Sequence, residues 1–394
     1  MTTHIFIVDE TTFKIHLEYL FAGTGAKDFV VDFNNSSTTK LKQPQERILV
    51  GMIADGSRIR KNDLVLFYLQ QSSSRHDNNG PVEGKFYGVF KAKHDCYFLD
   101  NNNENQYLKD DLKKSLTFRL LLEPDVVYSE GVTEWEALDN LEHISSPNQM
   151  LWSLIYRKLR GNRGNTMITL YESNRLIQLI RDKNKRIALN NTKGFTYNKD
   201  TNKIENIEFK NEYKGLIEKI NLLPRLLEKK KKSNSYEILL QQYILQNISD
   251  SNIIGKNILN NPKKINWIGN EIGCGVGMQS IDIMIDYEDQ TNQLKTAVVE
   301  LKADGSNKYP NYIGYQMERY IDWMIQYYKP NRYTDIEPIL LIPSITNKKT
   351  KSYEQMLKTI SHFNNKFKNY CQGIKVIEFD FDSEGYISFN VLTY

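Results

Sequence analysis

Residues 280–304, SIDIMIDYEDQTNQLKTAVVELKAD, read as two strands joined by a polar turn, and few folds can accept what those strands carry. Strand side chains alternate, so Ile281, Ile283 and Ile285 point one way and Ser280, Asp282, Met284 and Asp286 the other. In the second strand Glu300 and Lys302 stand two apart and share a face, with Val298, Val299 and Leu301 around them. Two carboxylates and one ammonium therefore meet at the end of a buried hairpin. Burying such groups is costly unless they are paired or bind a metal, and strands this rich in Val and Ile do not need them to fold. The plain alternative is a partly exposed Glu/Lys pair at a sheet end with an unrelated aspartate nearby.

The rest of the chain sets the frame for that hairpin. At 394 residues it exceeds what one hydrophobic core organises, so two domains with a connecting piece are expected. Up to residue 125 the pattern predicts a small curled β-barrel from HIFIVD (4–9), RILVGMI (47–53), DLVLFYLQ (63–70) and GKFYGVFKA (84–92). One helix is expected at 11–21, stopped by Gly23. Residues 126–232 read as a helical connector, with helices at 133–141, 148–159, 171–182 and 213–230, and Trp135 and Trp152 as its packing residues. From 233 to 394 the order is helix (235–247), strands (265–272, 280–287, 295–302), helix (311–328), strand (338–344), helix (353–367) and two final strands (375–381, 386–394). A mixed sheet flanked by helices is the packing this order predicts, giving a multidomain α+β or α/β chain.

Composition excludes several classes. With 40% hydrophobic and 25% charged residues the chain is too apolar to stay disordered. No run approaches eighteen apolar residues, and the opening MTTHIFIVDE is no export signal, so a cytoplasmic protein without a membrane span is expected. Cys96, Cys274 and Cys371 are odd in number and far apart, which argues against a disulfide framework or a structural zinc site.

The net charge of +4 is unevenly placed. Residues 151–200 hold eleven Lys and Arg against Glu172, Asp182 and Asp200, and the basic stretch ends in the run Lys229 to Lys232. A polyanion bound around the middle of the molecule would account for this, and so would a solvated helical face followed by a basic linker. The turn RGNRGNTMI (160–168) raises the same pair of readings: Arg157, Lys158, Arg160 and Arg163 reach phosphates or guanine edges of double-stranded DNA, or they answer a helix dipole at a glycine-rich end.

The spacing at 282–302 has a chemical use. A hard divalent cation takes oxygen ligands, so Asp282 and Glu300 can hold Mg²⁺, with Mn²⁺ able to substitute. Lys302 could then orient and help deprotonate an attacking water. Asp282 with Glu300-Leu301-Lys302 resembles the D … (D/E)-x-K motif of the PD-(D/E)XK nuclease superfamily. That resemblance implies a restriction-endonuclease-like fold and Mg²⁺-dependent phosphodiester hydrolysis. It also implies supporting roles for Glu237, on the preceding helix, and for Gln316 and Tyr320, whose Q-x-x-x-Y spacing is similar to the accessory motif of the RecB-like branch. Ile281 stands where a proline often precedes the aspartate. With Gly277 added, the pattern over roughly 233–330 is also similar to the DUF91-type endonucleases that act on branched or mismatched DNA.

In the front half, Asn62-Asp63 followed by LVLFYL and GKFYGVF resembles the PUA-like group of domains, in particular the EVE domains. That resemblance implies a pocket for a flipped base, able to sense a modified cytosine, with Phe21, Tyr68, Phe86 and Tyr87 as candidates for its lining. The same four residues at strand spacing also suit a barrel interior. Reader and cutter together imply an endonuclease that restricts foreign DNA, in modification-dependent or sequence-specific fashion, and two cuts imply a homodimer. A structure-specific repair endonuclease and a non-catalytic DNA-binding protein on a nuclease scaffold are the rivals.

Overall fold

The computed structural model describes residues 1–25, 45–77, 80–100, 106–142, 144–151, 164–232, 236–274, 279–303, 309–329 and 335–392. The chain divides into two compact units, Met1–Asp32 with Asp55–Ile220, and Phe33–Ala54 with Asn221–Tyr394. Among the described residues no helix is long and apolar enough to cross a membrane.

Up to residue 220 the elements are β1 (Thr3–Val8), α1 (Glu10–Tyr19), β2 (Phe21–Thr24), α2 (Gln45–Ser57), β3 (Leu64–Leu69), β4 (Ser72–Asp77), β5 (Gly80–Val82), β6 (Lys85–Ala92), β7 (Phe98–Leu99), α3 (Lys109–Leu112), β8 (Phe118–Pro124), β9 (Val132–Thr133), α4 (Glu134–Asp139), β10 (Asn165–Ile168), α5 (Leu170–Lys183), β11 (Gly194–Asn198), β12 (Lys203–Ile207) and β13 (Glu218–Lys219). The main sheet curls as a half-barrel in the order β10, β1, β3, β6, β8, β7, β13, with β2 on β8 and β9 on β6. Alternation along β3 and β6 sorts their side chains onto two faces. Leu66, Tyr68 and Phe86 join Leu176 and Ile180 of α5 in one buried cluster. Phe67 and Tyr87 turn to the other face, where the Phe13 ring of α1 lies 5.4 and 5.1 Å away.

Three expectations change here. RILVGMI forms part of the helix α2 and not a strand; a short apolar run suits either state, and Leu49, Val50, Ile53 and Ala54 are buried at helical spacing. Helix α1 ends at Tyr19, four residues before Gly23, with Leu20 in the left-handed region at φ 47 and its N–H bonded to His16 O. Residues 126–232, expected as a helical connector, supply strands as well as helices: β10 pairs with β1, and the β11–β12 hairpin sets Tyr197 5.1 Å from Phe13. Trp135 is 59% exposed and packs no connector, while Trp152 lies outside the described residues.

The second unit contains α6 (Leu223–Lys232), α7 (Glu237–Asn247), α8 (Ile253–Ile258), β14 (Pro262–Cys274), β15 (Gln279–Asp289), β16 (Leu294–Leu301), α9 (Tyr309–Trp323), β17 (Ile336–Pro343), α10 (Lys351–Phe367), β18 (Lys375–Phe381) and β19 (Ile387–Val391). Its six strands lie side by side in chain order. The first three are mutually antiparallel, β16, β17 and β18 are parallel, and β19 is antiparallel to β18. Parallel neighbours need long crossovers, which α9 and α10 provide. Helix α9 runs on into a π-turn at Met324–Tyr328. The sheet is mixed and flanked by helices, as the element order predicts.

Candidate active site at the end of a strand pair

Pairing between β15 and β16 ends at Ile283–Val299. Asp282, Glu300 and Lys302 follow at once, where the strands no longer bond by backbone alone. In place of a ladder bond, the Leu301 N–H donates to Asp282 Oδ2 at 2.7 Å. The Lys302 ammonium bonds Glu300 Oε1, and Tyr320 Oη lies 3.1 Å from Glu300 Oε2. Tyr320 Oη also donates to Ser280 O at 2.7 Å and accepts from Gln316 Nε2 at 2.6 Å. One turn of α9 separates Gln316 from Tyr320, so both side chains reach the same point.

Electrostatics make this a strained cluster of charge. Burial, and then the negative charge of Glu300, push the Asp282 carboxyl well above the usual carboxylate range, against the Leu301 N–H and Lys302. Burial also raises Glu300, despite Lys302 and side-chain hydrogen bonds with Tyr320 and Asp282. For Lys302 burial favours the neutral amine, but Glu300, Glu237 and Asp282 together outweigh it and hold the ammonium above its ordinary value. Glu237 opens α7 and lies near enough for its charge to act on both Asp282 and Lys302. All six residues singled out for catalysis thus converge on one strand end.

A divalent cation fits this donor set. Burial raises the proton affinity of both hard oxygen donors, and the Glu300 charge raises that of Asp282 further, which a cation between them would relieve. Among the described residues no three His, Cys, Asp or Glu side chains converge to hold a metal alone. The protein's share of the ligands would be the pair Asp282 and Glu300.

The other expected sites stand differently. Arg157, Lys158, Arg160, Arg163 and Gly277 lie outside the described residues. Phe21, Tyr68, Phe86 and Tyr87 are buried core residues, with Tyr68 and Phe86 in one packed cluster and Phe21 in another. Tyr68 packs at a tilt against Phe86, ring centres 5.0 Å apart, and bonds Glu134. Tyr87 packs on Phe13 and donates to Asn202 O at 2.8 Å. Phe21 sits 5.1 Å beneath the Arg119 guanidinium and 4.8 Å from the His16 ring. Asn62 takes φ 72, a conformation glycine adopts freely, and Asp63 then accepts the Thr2 and Arg60 N–H groups at 2.9 and 2.8 Å.

Much of the central positive charge is answered locally. Lys183 bonds Glu136, Lys193 bonds Glu208 and Lys203 bonds Glu130. Within the lysine run, Lys229 bonds Glu46, Lys230 bonds Asp380 and Lys232 bonds Glu228. Arg225 is buried against Glu46 at 2.8 Å.

The sequence reading passed over Gln241 and Glu271. Gln241 lies one turn after Glu237 on α7, a spacing visible in the sequence, and its Nε2 donates to Asp282 O at 2.9 Å and to Glu271 Oε1 at 3.1 Å. No protein-family model matches the chain, and neither does any curated protein.

Proposed function

We propose that the protein is a Mg²⁺-dependent DNA endonuclease whose second unit is a PD-(D/E)XK-type nuclease domain. The observation that carries this reading is the convergence of Asp282, Glu300 and Lys302, a half-buried and a buried carboxyl gathered around one ammonium where two strands part. Asp282 and Glu300 would hold the cation, which supplies Lewis-acid stabilisation of charge on a phosphate oxygen. Lys302, held as the ammonium by three acids, would face the phosphate and offset the negative charge that grows on it, while orienting the attacking water by a hydrogen bond. Leu301 N–H fixes one Asp282 oxygen, and Tyr320, itself oriented by Gln316, fixes the far oxygen of Glu300. Geometry of this kind contributes to rate by holding reacting groups in place.

The reading extends to biology as restriction of foreign double-stranded DNA by a homodimer. In it the first unit, a curled sheet with a PUA-like sequence pattern, recognises a base or its modification. The test is digestion of matched plasmids, unmodified or carrying methylated or hydroxymethylated cytosine, by the full chain with Mg²⁺. Discrete fragments from one plasmid class, absent with Asp282→Ala, are the expected result. Cutting that persists in Asp282→Ala would overturn the site, and cutting confined to flaps or mismatches would make the enzyme a repair nuclease.

A further inference from the structure

We propose that Gln241 is a positioning residue that holds Asp282 through its backbone, with Glu271 and Ser280 as the brace behind it. This rests on the hydrolytic reading of the Asp282, Glu300 and Lys302 cluster. The starting point is a break in the pairing between β14 and β15, at a register that does not shift. The antiparallel register pairs Asn270 with Ile283 and Ile272 with Ile281, and passes over Glu271 and Asp282. Glu271 takes φ 50 at that point, a left-handed conformation that L-residues other than Gly, Asn and Asp rarely adopt.

The Asp282 carbonyl is met by a side chain at this break. Gln241 Nε2 donates to it at 2.9 Å and also to Glu271 Oε1 at 3.1 Å, while Ser280 Oγ donates to Glu271 Oε2 at 3.0 Å. Both partners of the Gln241 nitrogen are oxygen acceptors, so only the NH₂ end of the amide can face them. Its orientation is fixed. Gln241 is 3% exposed, and the amide oxygen is buried with no hydrogen-bond partner among the described residues. Leucine or methionine would fill that space without stranding a polar atom.

Three unfavourable choices therefore meet on one backbone atom: a left-handed glutamate, a partly buried acid and an orphaned amide oxygen. Packing explains none of them, whereas Asp282 needs what they provide. Its carboxylate is held from β16 by the Leu301 N–H, and its backbone is held from α7 by Gln241. With both ends fixed, the carboxylate keeps its place beside Glu300. Partners that orient a metal-binding side chain in this way are typically worth 10- to 100-fold, roughly, in affinity or activity.

Two variants of the full-length chain separate positioning from folding. Gln241→Met keeps the volume and removes both hydrogen bonds. Glu271→Gly removes the brace and relieves the left-handed backbone. The measurements are Mn²⁺ affinity by calorimetry, melting temperature without metal, and kcat and KM on plasmid DNA. Mn²⁺ affinity and kcat are expected to fall about tenfold or more in both variants, with KM for DNA unchanged and the Glu271→Gly melting temperature at or above that of the wild type. Variants that keep wild-type Mn²⁺ affinity and kcat would overturn the brace, as would a Glu271→Gly variant that loses affinity only in step with its melting temperature. A wild-type protein that neither binds Mn²⁺ nor cuts DNA would instead overturn the nuclease reading, and this inference with it.

Discussion

Asp282 and Asp286 stand four residues apart on the same face of β15, and their surroundings close in opposite ways. Asp286 is 6% exposed and receives the Thr296 hydroxyl, the Tyr328 hydroxyl at 2.6 Å and the Lys329 ammonium at 3.5 Å. One negative charge meets one positive charge and two further donors, and nothing is left over. Asp282 shares one ammonium with Glu300 and feels Glu237 as well. Burial of an ionisable group is therefore no sign of function by itself, since β15 carries one buried aspartate that is fully answered. The sign is an unbalanced cluster, because only a further cation or a shared proton completes it.

The contrast can be broken most severely at Lys302. Lys302→Ala should lower the cleavage rate by about a thousandfold, in the range of electrostatic stabilisation of the transition state, while DNA binding in a gel-shift assay persists. A fully active Lys302→Ala enzyme would remove the distinction between the two ends of the strand. Next comes Asp286→Ala, which leaves the buried Lys329 without its carboxylate. It should cost about 3 kcal/mol of stability in urea unfolding and leave the cleavage rate per folded molecule at the wild-type level. Asp286→Asn, which keeps the Tyr328 and Thr296 contacts, provides a milder version should the alanine variant not fold.

A third kind of closure occurs in the first unit and has the smallest effect. His16 is buried between Phe21 and Phe67, both ring nitrogens lack hydrogen-bond partners among the described residues, and burial followed by the Arg119 charge lowers its pKa to about 3. It stays neutral in the fold, so its environment needs no counter-ion. Because the folded value lies below the unfolded one, stability is complete above pH 6.5 and is lost as pH falls toward 3. At pH 5 the loss should be about 2 kcal/mol from this group. His16→Phe should flatten that acid limb in a pH series of urea melts, and an unchanged limb would mean that other groups set it.

The second unit was largely legible in the sequence. Isoleucines at every second position fix the face of β15, and a spacing of two puts Glu300 and Lys302 together whatever the rest of the sheet does. Gln316 and Tyr320 were legible for the same reason, through the turn of a helix. What stayed hidden depends on distant partners. Lys229 and Lys230 read as a free basic run, yet their acids, Glu46 and Asp380, lie 183 and 150 residues away. The strand β10 forms only because β1 offers it an edge, about 160 residues earlier in the chain. Phe21, Tyr68, Phe86 and Tyr87 show in the sequence as aromatic strand residues, and only the tertiary packing decides between a pocket and a core. The left-handed backbone of Glu271 has no sequence signal, since glutamate is not a residue that announces one.

The most direct measurement is the single-turnover cleavage rate of plasmid DNA by Asp282→Asn and Asp286→Asn side by side, each corrected for its folded fraction. Loss of about a thousandfold or more with Asp282→Asn, and a wild-type rate with Asp286→Asn, is the expected result. Equal rates for the two variants would contradict the assignment of the open end of β15 as the site of chemistry.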